Sequence, residues 1–135
     1  MSGFALHPRL AADTVFVADW PLSRVLLMND ARYAWLVLVP CREGLTELHD
    51  LDAPERALLI EEIARAGGAL KTLTGAAKIN TGALGNLVPQ LHIHVVARKP
   101  GDAAWPGPVW GQGAAVPYEP AARDALLQEL ARSLR

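Results

Sequence analysis

Short apolar stretches alternate with turn residues through the first third of the chain. Thr14–Asp19, residues 24–28 and residues 34–39 are rich in β-branched and large apolar side chains, a composition suited to pleated, partly buried strands. Pro21-Leu22-Ser23 and Asn29-Asp30-Ala31 supply turn chemistry between them. Links this short permit only antiparallel neighbours, because a parallel return needs a crossover of about a dozen residues or more, so the three strands form a meander. From residue 52 to about residue 73 the period changes. Leu58, Leu59, Ile63, Ala66, Leu70 and Leu73 form one helical stripe, and Glu61, Glu62, Arg65 and Lys71 occupy the other side. Asp52 as cap, Pro54 in the first turn and Glu55 three residues after the cap mark where this helix begins. Residues 77–80 and 91–97 predict two further strands joined by a glycine-bearing loop, 81–89. Pro106, Gly107, Pro108, Gly111, Gly113 and Pro117 exclude a helix or a central strand beyond Gly101. Residues 121–131 then return to helical periodicity.

Length and charge narrow the function classes. A chain of 135 residues, 51 % of them hydrophobic, suits one domain with a substantial core. We assign residues 1–135 to a single domain, with its core at about 14–102 and an arm and helix at 103–135. Lys+Arg 13 against Asp+Glu 14 gives no basic excess of the kind that condenses on nucleic acid. No apolar run approaches the length that spans a bilayer, and the first residues carry no export signal pattern. The lone Cys41 cannot form an internal disulfide, and a reduced, cytoplasmic setting is the expectation.

The chemistry concentrates on Gln90-Leu91-His92-Ile93-His94-Val95-Val96. Side chains alternate along a strand, so Gln90, His92 and His94 share one face while Leu91, Ile93 and Val95 share the other, toward the helix. Two adjacent imidazoles on a polar row, beside a glycine loop, mark a reaction centre, a metal site or a structural hydrogen-bonded row. The metal reading ranks last, because His-x-His needs a third or fourth ligand and only His49 and scattered carboxylates are available.

This run resembles the histidine triad, or HIT, motif of alternating histidines and apolar residues, with Gln90 where the first histidine usually stands. Trp35 to Pro40, Leu48-His49-Asp50-Leu51 with Pro54 and Glu55, Ile79-Asn80-Thr81-Gly82, and the exit through Arg98, Lys99, Gly101 and Asp102 are similar to other parts of that family, in its Fhit-like or bacterial HIT-like branch. The resemblance spans about residues 14–102 in consistent order. It implies an α+β fold, an antiparallel five-stranded meander sheet with a long amphipathic helix and a C-terminal helix, and a homodimer as working unit. It implies His92 as nucleophile in a nucleotidyl-histidine intermediate, His94 as the group assisting at the phosphate oxygens, and Gln90 as their hydrogen-bonding buttress. The substrates implied are nucleoside phosphoramidates, nucleotidyl esters or dinucleoside polyphosphates.

By the same resemblance Asn29 and Asp30 would meet the ribose, and Asn80 and Asn86 the phosphate and leaving group. Asn-Asp is also ordinary turn chemistry, and Asn86 also suits loop capping. No resident cofactor is required, and a divalent cation is compatible as counter-ion to the substrate phosphates. Departures at Gln90, at Ala34-Trp35, where many relatives carry Gly-His, and at Leu87, where many carry Ser or Thr, leave open an alternative: a nucleotide-binding protein with weak or lost catalysis. His7 and His49 read as capping or solvated residues. Trp105 to Gly111 reads as a packed arm, with a cover over the site or a partner subunit as the alternative. For Arg98 and Lys99 the readings are an ordinary charged edge and a phosphate attractor.

Overall fold

The computed structural model describes residues 3–135. In chain order it contains α1 (Pro8–Asp13), β1 (Thr14–Asp19), β2 (Ser23–Met28), β3 (Trp35–Pro40), a 3-10 turn (Leu48–Asp50), α2 (Ala53–Thr74), β4 (Lys78–Gly82), β5 (Ile93–Arg98) and α3 (Pro120–Leu134). The pattern of the sequence gives every one of these strands and both longer helices. The six-residue α1 escapes it, being too short for a period to register.

The five strands form one antiparallel sheet in the order β1-β2-β3-β5-β4. The meander holds through β3. There α2 carries the chain over one face and delivers β4 parallel to β3 but one position away, and β5 returns into the gap, pairing Val37 with His94 on one side and Gly82 with His94 on the other. A strand entering this way is hydrogen-bonded on both edges, and the motif strand becomes a rigid support for the side chains it carries.

Alternation along the strands divides the apolar residues into two cores. Val25, Leu27, Leu36, Leu38, Ile93 and Val95 pack against Leu59, Ala66 and Leu70 of α2 and Leu130 and Leu134 of α3. Leu26, Trp35, Val37, Val39 and Val96 face the opposite way and are covered by Leu10 of α1 and by Val88 and Val109 from loops. The helix α2 begins where its cap chemistry indicates: Asp52 accepts a hydrogen bond from the Glu55 amide at 2.9 Å. It stops at Gly75, whose left-handed backbone (φ 67°) lets its amide reach the Lys71 carbonyl. Glu62, assigned to the polar side, is instead buried, because its carboxylate accepts the Leu22 amide at 2.9 Å in the turn between β1 and β2. Cys41 is half-buried, with its thiol directed at the Val39 carbonyl. No helix among the described residues is long and apolar enough to cross a membrane.

Candidate active site

The second face of the sheet is not flat. A cavity of about 520 Å³ opens on it, lined by His92, His94 and Trp35 at the base, residues 84–88 on one wall, Asp30 and Arg32 from the turn between β2 and β3, Arg9, Leu10 and Asp13 of α1, and residues 109–113 of the arm. A smaller cavity of about 210 Å³, lined by Thr46, His49, Leu84 and Gln90 among others, adjoins the other side of His92.

The strand β5 sets the depth of the two imidazoles. His94 lies within the ladder and His92 one residue before it, so their rings stand 4.8 Å apart at 72° on the same face, and both are buried. Each ring has one defined partner, and the partner's chemistry fixes the proton. The Nδ1 of His92 lies 2.7 Å from the Gln90 carbonyl oxygen. A carbonyl only accepts, so Nδ1 carries the hydrogen and Nε2 keeps its lone pair. The Nδ1 of His94 accepts from the Trp35 indole N–H at 3.0 Å. An indole only donates, so here the hydrogen sits on Nε2. One ring therefore offers a lone pair and the other an N–H. Burial, with the charge of His92 as a lesser contribution, pulls the His94 imidazole down to about 4.

The side chain of Gln90 does not join the row. Its Oε1 accepts the His7 amide at 2.8 Å and its Nε2 donates to the Ala5 carbonyl at 2.9 Å, which ties the N-terminal segment along the edge of the site. The buttress of His92 comes instead from the backbone of the same residue. The side chain leaves the row in which alternation placed it with His92 and His94 because both ends of its amide are engaged by the N-terminal segment.

The remaining expected residues separate. Asn86 stands exposed on the cavity wall, in a loop turned by Gly85 at φ 77°. Asp30 lines the cavity, but its buried carboxylate already accepts from the Arg32 side chain and amide and from the Val116 amide. These hydrogen bonds hold its pKa below the usual carboxylate range although burial opposes them. Asn29 and Asn80 are not among the described residues that line the cavity. Asn29 accepts the Tyr118 amide at 3.0 Å, and Asn80 accepts from Arg98 at 2.7 Å. Arg98 is not an edge charge at all. It is buried, forked onto Asp102 at 2.8 and 2.9 Å and flanked by the Tyr33 and Trp105 rings, because even-numbered positions of β5 point into the face that the arm covers. Lys99, next in line, is exposed.

Sequence reasoning misses the part that three residues play. Trp35 stands out in the sequence only as a departure from the Gly-His that many relatives carry, and its N–H on His94 is not legible there. Trp110 comes from the segment expected to pack as an arm. It sits edge-on to His94 at 5.5 Å and so close to β4 that a Cβ on Gly82 would approach its ring to 3.1 Å. Arg32 is the third, bonded to Asp30 and to the Gln112 carbonyl. The clustering of tryptophan with glycine at 105–113 is the signal that could have found the second. Among the described residues no group of three or more His, Cys, Asp or Glu side chains is arranged to hold a metal ion.

The family model of the HIT domain matches residues 9–101. The chain belongs to the HIT family. Solved histidine triad proteins resemble it over nearly their whole length: one from Bradyrhizobium japonicum at 46 % identity, with 98 % of each chain covered and a TM-score of 0.95, and one from Sinorhizobium meliloti at 42 %, with the same coverage and TM-score. A third, from Marinobacter aquaeolei, is 42 % identical, with 97 % of this chain and 96 % of that one covered and a TM-score of 0.95. No curated protein matches the chain. HIT members include nucleotide-binding proteins and nucleotide hydrolases or transferases.

Proposed function

We propose that this HIT protein cleaves a nucleotide phosphate derivative through a nucleotidyl-histidine intermediate on His92. The observation that carries this reading is the hydrogen bond from His92 Nδ1 to the Gln90 carbonyl, which leaves the Nε2 lone pair for phosphorus beside a cavity large enough for a nucleotide. In the first step the N–P bond forms and the bond from phosphorus to the leaving group breaks, its electron pair departing with the leaving group, which takes a proton from solvent. In the second, water forms a P–O bond, the N–P pair returns to Nε2, and the water proton is released. Throughout, the Nδ1–H stays on the carbonyl, which steadies the positive charge the ring acquires. His94, one pleat away, faces the phosphate oxygens.

The substrate classes are nucleoside phosphoramidates, nucleotidyl esters and dinucleoside polyphosphates. Asn86 is assigned to the leaving-group side, with Arg9 and Arg32 as the cationic lining. The step needs no protein-held metal, and a divalent cation would act on the substrate phosphates alone. The working unit is read as a homodimer, which sedimentation of the purified chain would check.

Turnover of adenosine phosphoramidate or a dinucleoside polyphosphate is expected for the native chain. His92→Ala should remove it, and labelled nucleotide should be trapped on His92 as an acid-labile adduct. Equal turnover by the two proteins would sink the assignment. Calorimetric binding of a nucleoside monophosphate without any turnover would instead favour the binding-only reading.

A further inference from the structure

Trp35 occupies a place no hydrolysis scheme requires of an indole. It lies on β3, buried, in the strand that pairs directly with β5, and its ring meets His94 edge-on at 5.6 Å and 60°. Its Nε1 is 3.0 Å from His94 Nδ1, a buried contact with a single reading of donor and acceptor. Trp110 closes on the same imidazole from the arm, 5.5 Å away at 70°, and His92 closes a third side. Among the described residues no carboxylate hydrogen-bonds His94.

We propose that Trp35 is a positioning residue that holds His94 in its Nε2–H tautomer, so that His94 meets the substrate phosphate as a fixed, uncharged hydrogen-bond donor.

Three consequences bind this assignment to the geometry. With Nδ1 occupied as acceptor, a second proton there would face the indole hydrogen, so the doubly protonated ring is opposed by the same contact that orients it. A neutral imidazole with free rotation would divide itself between two tautomers, and only one of them offers a hydrogen to a phosphate oxygen from Nε2. The contact also ties the two rings into complementary roles, because the backbone carbonyl of Gln90 imposes the opposite tautomer on His92. The site thus sets a lone pair and an N–H side by side before any ligand arrives, a preorganised pair that needs no proton movement when substrate binds.

The tautomer is a property of the ligand-free chain. Only its use toward a phosphate rests on the function proposed above, so the two can fail separately. The test is nitrogen-15 NMR of the imidazoles in the unliganded protein, selectively labelled at histidine and tryptophan. Expected in the native chain are a pyridine-like Nδ1 and a pyrrole-like Nε2 for His94, the reverse for His92, and a scalar coupling across the hydrogen bond between Trp35 Nε1 and His94 Nδ1. Trp35→Phe keeps a ring of similar character and removes the donor. It should mix the His94 tautomers and lower kcat by about tenfold, the size of one orienting hydrogen bond, with a smaller change in KM. Trp35→His, which restores an N–H donor, should recover part of both. A native His94 carrying its hydrogen on Nδ1, or an unchanged tautomer in Trp35→Phe, would overturn the proposal. Should Trp35→Phe fail to fold, the coupling in the native protein decides alone: its absence at full labelling overturns the assignment. If instead the tautomers are as stated but His92→Ala turns over substrate like the native chain, it is the catalytic reading that falls and the positioning role that stands.

Discussion

Gln90 divides its side chain and its backbone between two tasks. Its amide is turned to Ala5 and His7, while its carbonyl receives the His92 N–H. A histidine at this position would supply the same carbonyl and lose the two amide contacts. Gln90→His is therefore expected to bring no rise in turnover, and to lower stability by about 1–2 kcal/mol from two partly exposed hydrogen bonds. Steady-state kinetics and denaturant titration read the two effects separately. A clear gain in kcat would mean that the glutamine side chain limits the chemistry after all. At the same scale, His92 and His94 were legible because their types and spacing state their chemistry. Trp35 was not, because an indole on an apolar strand has the same sequence signature whether its N–H has a partner or not.

Elements were legible to the degree that each carries its own signal. The five strands and the two long helices announce themselves by period, and α2 by its cap as well, whereas the insertion of β5 between β3 and β4 depends on which edge is vacant after the crossover, a property of no single segment. The arm after β5 is the clearest case. Its prolines and glycines rule out regular structure and its aromatic rings leave two readings, a packed arm or a cover over the site or a partner subunit; only the fold shows it lying back over the second face. What fastens it is Arg98, whose guanidinium grips Asp102 at the start of the arm and holds that carboxyl down to about 2 chiefly through their hydrogen bonds. Truncating Arg98 leaves a partly buried carboxylate and the Asn80 amide without their partner. Arg98→Ala should cost about 3 kcal/mol. Limited proteolysis should then find the arm cut first. Unchanged stability and unchanged protection of the arm would contradict this account.

On the scale of the whole molecule, the sheet serves two separate cores, and the titration behaviour belongs to the one that holds the site. His94 is neutral when folded, with its pKa at about 4 against 6.5 when free. Between those values the unfolded chain binds the extra proton, so stability falls as pH is lowered from 6.5 toward 4, by about 3 kcal/mol in total for this one group. Asp102, held at about 2 when folded against 3.8 when free, adds to the decline only at the acid end of this range, below about pH 5. Denaturant midpoints measured through this range should decline with acid, and His94→Leu should flatten the decline. A slope unaffected by that substitution would place the linkage elsewhere. The arrangement of the tryptophans also has a spectroscopic consequence. Trp35 and Trp110 flank one imidazole at the cavity, whereas Trp20 belongs to the core on the opposite face, stacked under Arg65. Excited indoles are sensitive to a neighbouring ring and to displaced water, so the intrinsic fluorescence of the chain should change when the cavity fills. Trp20→Phe should leave that change intact, while Trp110→Phe should remove a large part of it, and the protein would thereby carry its own optical gauge of occupancy.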